Sequence, residues 1–551
     1  MTSIIKKGAA ALLLAVALAV GMVPLSAWAV DSLPPDQGTM TIHKWLMSDT
    51  SKALDPNDGS ALTPAQIQQL IDAGAKPLDN IKFDVYKISA VNNQTLGFNG
   101  ALPGAAPYTL INGNTQMKDA DGNTYDVTFV KTLTTGSDGT TPKTTFDKGY
   151  YLVVEQGGDP RVTSPAAPFV CPVPMTSADG KSWITDVHAY PKNESSSADK
   201  AESKVTTTKN AETGKAVSVG DTVTYTITPS VPSDIWSDVP TENAVIAYSV
   251  NDVMDPALDF VDGSVKVEGS ATKVAAGSGT TIPAAGNYTV TYNAGTRTLT
   301  VEFTADGRKL LFDNGYKFVN ITFDATVNDK LASSATLTAD NEATVKFINR
   351  FGEEKTTNTP KTTIHSGKIK IDKADAKNKN TKLAGAKFKL ATSEANAKAG
   401  RFLRKAADGK ILDYGAAGYD AATDWEETTD SAGSAAFAGV ADYTSSITWN
   451  PATAAYEEGA KTYLSYWLVE TQAPNNYNLL SDPVKVSFTE DNSTVATTYT
   501  VTQSIFNTTD FTLPKTGGIG TILFTVGGIV LVGAAVAIIL TSRKKKKVVK
   551  K

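Results

Sequence analysis

Residues 222–227 read Thr-Val-Thr-Tyr-Thr-Ile, and this alternation of side chains decides the fold class. Successive side chains of a strand point to opposite faces, so a period of two predicts a strand with one buried face. Similar runs of threonine, valine and aromatic residues recur at 288–292, 298–303 and 344–347. Gly, Asn, Asp and Pro residues separate these runs, as they do between antiparallel strands. The sequence therefore predicts an all-β protein made of β-sandwiches.

The body of the chain divides into three parts. With 551 residues, the chain is long enough for three domains or more. Polar stretches rich in serine and lysine occur at 193–204 and 355–367. We therefore predict three tandem sandwich domains, at 30–193, 194–362 and 363–512, each long enough for one sandwich.

Charge and composition exclude several classes of protein. The chain has 52 basic and 57 acidic residues, but ten of the basic residues lie near the two ends, so residues 30–512 carry a net charge of −15. Nucleic acid is therefore not an expected partner. One cysteine and three histidines allow no internal disulfide and offer little to a metal site or a Ser-His-Asp centre. We expect no cofactor, no metal and no enzymatic turnover.

Both ends of the chain carry export signals. Lys6 and Lys7 precede an apolar run that closes with Ala-Trp-Ala, which predicts a signal peptide at 1–29. Near the other end, an uncharged span at 519–540 is long enough to cross a membrane, and the basic tail at 541–551 should stay cytoplasmic. Directly before the span stand Leu513, Pro514, Lys515, Thr516 and Gly517.

This order of pentapeptide, span and basic tail resembles the cell-wall sorting signal of Gram-positive surface proteins, here at 513–551. In that family a sortase cysteine cuts between the positions that match Thr516 and Gly517. The enzyme then holds the threonine carbonyl as a thioester until an amine attacks it. The resemblance implies an exported, wall-anchored protein whose span is retained only transiently. The alternative is an ordinary single-pass membrane protein with a chance motif.

Residues 183–193 resemble the pilin motif of sortase-assembled shaft pilins, in which Tyr-Pro-Lys-Asn follows an alternating strand. The resemblance implies that the ε-amine of Lys192 attacks the Thr516 thioester of the next subunit. This chemistry requires an exposed, extended lysine with a deprotonated fraction. The alternative is a solvated lysine where a strand meets a linker. The motif positions are Trp183, Val187, Tyr190, Pro191, Lys192 and Asn193.

The third part of the chain resembles the collagen-adhesin B-type immunoglobulin-like modules that form internal isopeptide bonds. A Lys-x-Asp strand at 368–375 and an E-box-like segment at 466–477 carry this resemblance. The implied bond joins Lys373 to Asn507, with Glu470 as the catalytic acid. Burial favours the neutral forms of both groups, so a neutral amine can attack an amide that the acid polarises. The alternative is a buried salt bridge.

Two further sets follow from the same resemblance. In the middle part, Asp252 would be the acid and Asn341 the acceptor, and either Lys204 or Lys209 would supply the amine. In the first part, residues 150–155 echo residues 466–471, each with an acid at the end of an apolar strand. The third set would be Lys44, Glu155 and Asn193, although Glu155 lacks the Thr-x-Ala-Pro sequence that follows Glu470.

Together these features predict the main structural subunit of a covalent pilus, built from immunoglobulin-like domains and supporting adhesion. The expected partners are pilus-specific and housekeeping sortases, further copies of the chain, tip or base pilins, peptidoglycan, and a receptor on a host or bacterial surface. The rival hypothesis is a monomeric wall-anchored adhesin, which shares every feature except the need for Lys192. A wall-anchored hydrolase is less favoured because the sequence offers no paired carboxylates or nucleophile with a base.

Overall fold

The computed structural model describes residues 33–48, 54, 57–91, 94–95, 106–236, 246–349, 351–509 and 520–546. The predicted signal peptide at 1–29 and the sorting residues 513–517 lie outside the described residues. The described body consists mostly of β-strands with a few short helices, which confirms the all-β prediction.

Parallel pairing of early and late strands characterises the N-terminal part. β1 lies between β14, which is parallel to it, and β9, which is antiparallel, while β2 pairs in parallel with β15. A second sheet has the order β11-β10-β4-β8-β7-β6. Apolar side chains such as Phe83 and Tyr151 form the buried core. The elements are α1 (Pro64–Asp72), β1 (Gln37–Ile42), β2 (Trp45–Met47), β3 (Lys76–Pro77), β4 (Lys82–Val91), β5 (Gln94–Thr95), β6 (Thr109–Ile111), β7 (Gln116–Lys118), β8 (Thr124–Thr134), β9 (Thr144–Asp147), β10 (Gly149–Glu155), β11 (Phe169–Val173), β12 (Met175–Thr176), β13 (Trp183–Ile184), β14 (Asp186–Ala189) and β15 (Lys192–Glu194).

Two antiparallel sheets form the middle part. One has the order β17-β16-β18-β25-β21-β22, and the other β23-β24-β19-β26-β27. Their inward side chains, including Tyr225, Phe323 and Phe347, share one buried core. The four runs of alternating residues that decided the fold class lie within β18, β23, β24 and β26, as predicted. The elements are β16 (Ala198–Thr206), β17 (Glu212–Thr213), β18 (Thr222–Pro229), β19 (Ala247–Met254), β20 (Leu258–Phe260), β21 (Lys266–Ser270), β22 (Thr280–Ile282), β23 (Tyr288–Asn293), β24 (Thr298–Phe303), α2 (Ala305–Asp313), β25 (Phe318–Val327), α3 (Lys330–Ser333), β26 (Thr338–Ile348), β27 (Glu354–Asn358) and β28 (Thr362–His365).

The third part again joins its first and last strands in parallel. β29 and β42 are parallel neighbours in the sheet β35-β29-β42, and a second sheet has the order β34-β30-β40-β41. The elements are β29 (Gly367–Asp375), β30 (Lys387–Ala391), α4 (Glu394–Lys398), β31 (Arg404–Lys405), β32 (Ile411–Leu412), β33 (Thr423–Asp424), β34 (Glu426–Thr428), β35 (Ser434–Val440), β36 (Tyr443–Thr444), β37 (Ile447–Asn450), β38 (Ala455–Glu458), β39 (Thr462–Tyr463), β40 (Ser465–Gln472), β41 (Val484–Ser487), β42 (Thr500–Asn507) and α5 (Gly520–Lys546).

By contact density the described chain forms two compact units. The first contains the described residues up to Gly367 together with Asp408–Ile411 and Gly439–Tyr463, and the second contains the remainder. The division into three domains at 30–193, 194–362 and 363–512 stays a prediction. In α5, Phe524–Ser542 is long and apolar enough to cross a membrane, which agrees with the predicted span.

Candidate functional site

The predicted residues of the third part lie together in its core. Lys373 comes from β29, Asn507 ends the parallel neighbour β42, and Glu470 reaches in from β40 of the second sheet. The Lys373 amine donates to the side-chain oxygen of Asn507 and lies 3.2 Å from Oε1 of Glu470. The Asn507 side-chain nitrogen donates to Oε2 of Glu470 at 2.8 Å and to the Asn478 carbonyl at 2.8 Å. Amine, amide and acid are thus in mutual contact.

Burial sets the electrostatics of this site. Lys373 has no exposed surface, and the Phe388 ring centre lies 5.7 Å from its amine. Burial lowers the pKa of Lys373, and the nearby Glu470 opposes that change. The neutral amine that a nucleophile must supply is therefore more accessible here than on an exposed lysine.

The three residues of the N-terminal set also meet in a buried site. Lys44 directly precedes β2, Asn193 lies on the parallel neighbour β15, and Glu155 ends β10 of the other sheet. Glu155 accepts from the Lys44 amine at 2.7 Å and from the Asn193 side-chain nitrogen at 2.5 Å. The backbone N–H of Ala166 donates to the Asn193 side-chain oxygen at 2.7 Å, which polarises the carbonyl that an amine would attack.

The middle site contains the predicted acid and acceptor but a different lysine. Asp252 on β19 and Asn341 on β26 are diagonal neighbours on one face, because Asn341 is in register with Met254. The amine of Lys200, on β16 of the other sheet, donates to Asp252. Burial lowers the pKa of Lys200 and raises that of Asp252. The Asn341 side chain is buried, and its interaction with Asp252 opposes the rise in the pKa of that carboxyl group.

The prediction of Lys204 or Lys209 as the middle amine is wrong in this structure. Lys204 is about half exposed and pairs with Glu212 at 2.8 Å, and Lys209 lies in an exposed turn. The physical reason is a register shift in β16 between Glu202 and Lys204, which reverses the order of inward and outward side chains. Alternation counted from Val205 therefore could not identify Lys200.

Lys192 lies in extended backbone, as predicted, but it is only partly exposed. It begins β15, is in register with Trp45 of β2, and is half-buried. Burial lowers its pKa, and it forms no ion pair within the part of the chain that the structure describes. The neutral fraction of this amine is therefore larger than that of a fully exposed lysine, but the side chain is less exposed than predicted.

The other pilin-motif residues hold the strand in place. Trp183 is half-buried on β13, and Val187 is buried on β14 and belongs to the N-terminal core. The Tyr190 ring stacks on His43 at 4.5 Å, and its hydroxyl accepts from the backbone N–H of Leu62 at 2.9 Å. Pro191 is buried and its carbonyl accepts from the Trp45 N–H at 3.3 Å.

Three family models match the chain. Residues 35–194 match the N-terminal domain, D1, of Gram-positive pilin subunits. Residues 367–503 match a prealbumin-like fold domain, and residues 507–548 match the LPXTG cell wall anchor motif.

Similar proteins are fimbrial. The fimbrial subunit type 1 of Actinomyces viscosus is 27% identical over 94% of this chain and 93% of its own length. The fimbrial subunit type 2 of Actinomyces naeslundii is 24% identical over 53% of this chain and 50% of its own length. Among solved structures, the full-length major pilin SpaD from Corynebacterium diphtheriae has a TM-score of 0.48 at 22% identity, over 87% of this chain and 99% of that chain.

The chain carries a pilin D1 domain, an anchor motif and, behind it, an apolar helix, which together are the parts of a cell-wall-anchored pilin of Gram-positive bacteria. It is a fimbrial subunit that sortase polymerises into a pilus shaft, and it acts at the cell surface as a structural component.

Proposed function

We propose that subunits of this pilin are joined head to tail by an amide bond between Lys192 of one copy and Thr516 of another. The observation that carries this proposal is a partly desolvated lysine without an ion-pair partner among the described residues, on a chain that also has a sorting pentapeptide. A pilus-specific sortase would form each link, and a housekeeping sortase would transfer the base of the fibre to peptidoglycan. Tip or base pilins would cap the shaft and support adhesion.

The backbone around Lys192 favours access by a second copy. The N–H of Trp45 donates to the carbonyl of Pro191, so β2 bonds the residues that flank Lys192. The peptide groups of Lys192 itself then face the outer edge of the sheet, since successive groups along a strand point in opposite directions. β15 is the last strand of the order β15-β2-β3, and on its outer edge Glu194 pairs with Ser164. A sortase-bound chain end would therefore approach Lys192 along the part of that edge that precedes Glu194.

The intramolecular part of the proposal is one isopeptide bond in each buried site. The bonds would join Lys44 to Asn193, Lys200 to Asn341 and Lys373 to Asn507. In each case the amine nitrogen attacks the side-chain carbon of the asparagine, and the new C–N bond replaces the bond to the amide nitrogen. That nitrogen leaves as ammonia, with a proton relayed by the neighbouring carboxyl group.

Such bonds suit a fibre under shear in a chain with a single cysteine. A covalent tie between the first and last strands of a domain restricts the unfolded chain as a disulfide does. Each bond would form once and without a cofactor. The protein would therefore act as a substrate of sortase and as its own single-turnover catalyst.

The linkage is tested by extracting wall proteins from cells that express the wild type, Lys192→Ala or Lys181→Ala, and probing a denaturing gel for this chain. We expect a high-mass ladder in the wild type and in the variant of Lys181, an exposed lysine of the same domain. Lys192→Ala should give monomer only. A ladder that persists without Lys192 contradicts the link, and a single band in every strain favours the monomeric adhesin.

Intact mass tests the internal bonds. Each bond removes one ammonia from the mass that the sequence requires. We expect three losses in the folded wild type and two when any one of Lys44, Lys200 and Lys373 is replaced, after correction for the substitution. A wild-type mass that equals the sequence mass contradicts all three bonds while leaving the Lys192 link intact.

A further inference from the structure

Trp45 is the side chain nearest in register to the linking lysine. β2 and β15 are parallel, and Trp45 and Lys192 occupy the same position along the pair. Residues at one register position project to the same face of a sheet, with their Cβ atoms about 5 Å apart. An indole ring at that position can cover one side of the lysine stem.

The same face of the chain carries a second aromatic residue. Tyr190 precedes Lys192 by two residues, and in extended backbone such residues lie on one face. Tyr190 and Trp45 belong to one buried apolar cluster beneath α1, which also contains Met47 and Leu70. Lys192 is thus flanked across the sheet and along the chain by members of this cluster, whereas the neighbouring Asn193 faces the site that contains Glu155.

Packing is the contribution that Trp45 makes to this cluster. Trp45 is more than nine-tenths buried, and its indole N–H has no hydrogen-bond partner among the described residues. A buried N–H without a partner lowers stability, so a residue without that group would fill the space with less penalty. Two hydrogen bonds also join residues 188–190 to the segment that precedes α1. The Tyr190 hydroxyl accepts from the Leu62 N–H, and the backbone N–H of His188 donates to the Gly59 carbonyl.

We propose that Trp45 is a positioning residue for the linking reaction: its indole excludes water from one side of Lys192 and so keeps the amine reactive. This proposal rests on the proposed role of Lys192. Trp45 itself would touch neither sortase nor the incoming threonine. Its effect would be on the fraction of Lys192 that is neutral at a given pH, since desolvation disfavours the ammonium form.

The test measures the reactivity of Lys192 directly, without sortase. The full-length chain, made in a host without sortase, is acetylated briefly with an amine-reactive ester at a series of pH values. Peptide mass spectrometry then gives the labelling of Lys192 against the exposed Lys181 in the same sample. In Trp45→Ala the labelling midpoint of Lys192 should move to higher pH. Labelling near pH 8 should fall by about three- to tenfold, the effect of half to one pKa unit.

Two further variants keep the test decisive. Trp45→Phe retains an aromatic ring and should give a smaller shift, which serves if the alanine variant does not fold. Met47→Ala removes apolar bulk from the same cluster but beside Glu194, its register partner, so the Lys192 midpoint should not move. Equal midpoints in folded Trp45→Ala and wild type, or an equal shift in Met47→Ala, overturn the proposal. Neither result bears on whether Lys192 is the linking amine, which the ladder of Lys192→Ala decides.

Discussion

The third-domain site and the middle-domain site contain the same three kinds of side chain: a lysine, an asparagine and an acid. The strands that carry these residues are arranged differently in the two sites, and we call each arrangement a frame. In the third domain, Lys373 and Asn507 lie on parallel neighbours, β29 and β42, and Glu470 reaches in from the other sheet. In the middle domain, Asp252 and Asn341 lie on antiparallel neighbours, β19 and β26, and the lysine reaches in from the other sheet. The acid therefore lies opposite the acceptor in one frame and beside it in the other.

The N-terminal site repeats the third-domain frame in detail. Asn507 is in register with Asp375, two residues after Lys373. Asn193 is likewise in register with Leu46, two residues after Lys44. The offset follows from pairing the first and last strands of a domain in parallel, because residues two apart share a face. All three sites, whatever their strand arrangement, bury the lysine amine beside an aromatic ring: Lys44 lies 5.6 Å from the ring centre of Phe83, Lys200 5.1 Å from that of Tyr225, and Lys373 5.7 Å from that of Phe388.

Among the variants of these sites, we expect replacement of Lys373 to have the largest effect on the free energy of unfolding. Lys373→Ala removes the proposed cross-link and the buried side chain that lies beside Phe388. Together these changes should lower the free energy of unfolding by about 5 kcal/mol or more. Lys370→Ala, on the exposed face of the same strand, should cost under about 0.5 kcal/mol. Denaturant unfolding of the full-length chain measures both, and equal midpoints would contradict the expectation.

The middle site offers a test between two lysines of one strand. Lys200→Ala should cost about 4 kcal/mol, somewhat less than the first variant, because burial already raises the pKa of Asp252 and it can take up a proton. Lys204→Ala breaks only a partly exposed pair with Glu212 and should cost under about 0.5 kcal/mol. The intact mass of Lys200→Ala should show one ammonia loss fewer than that of Lys204→Ala. The reverse pattern would restore Lys204 as the amine.

The prediction of Lys204 or Lys209 as the middle amine shows what the sequence could not predict. Strands such as 222–227 were found from their period of two, and Lys373, Glu470 and Asn507 from motifs at the two ends of a domain. The register shift at Ser203 is a local feature of β16 that no residue pattern announces, and it moves Lys204 to the outside. Motifs can identify residues of one site even when they are far apart in the sequence. Counting alternate residues along one strand, by contrast, gives the wrong inward-facing residues beyond a single bulge.

If the N-terminal and third-domain frames are equivalent, replacing their acids should have matching effects. Glu155→Gln and Glu470→Gln each keep the side-chain shape but remove the carboxyl group that would relay a proton in bond formation. Each should cost about 3 kcal/mol and restore one ammonia to the mass of the folded chain. Intact mass and denaturant unfolding measure the two effects together. A bond that still forms in Glu155→Gln would mean that the Ala166 N–H, at 2.7 Å from Asn193, polarises the amide sufficiently by itself.

The sequence also did not predict how deeply the Lys192 side chain is buried. Lys192 was expected to be exposed, and the strand alternation around Pro191 gave no reason for another expectation. Lys192 lies beside β2, where its register partner Trp45 is far away in the sequence. Such long-range packing leaves no periodic signal near Lys192.

Lowering the pH should destabilise the region of the N-terminal site but not that of the third-domain site. This is the smallest of the four effects on stability that we predict. His43, next to Lys44, has its pKa lowered to about 4 by burial and by the charge of His188, so it is neutral in the fold at pH 6.5. An unfolded chain binds that proton near pH 6.5, so stability is present above this pH and is lost as the pH falls towards 4. Burial raises the pKa of Glu194 to about 7, which acts in the opposite direction.

Comparison with His43→Gln isolates the histidine, because Glu194 is the same in both chains. Between pH 7.5 and 5 the wild type should lose about 1 to 2 kcal/mol more than His43→Gln, the lower figure reflecting solvent screening of the partly exposed ring. Hydrogen exchange, corrected for intrinsic rates, should show the loss in peptides from β1 and β14 and none in peptides from β29 and β42, since no histidine follows residue 365. An equal acid response of both regions would place the effect in carboxylates that the two frames share.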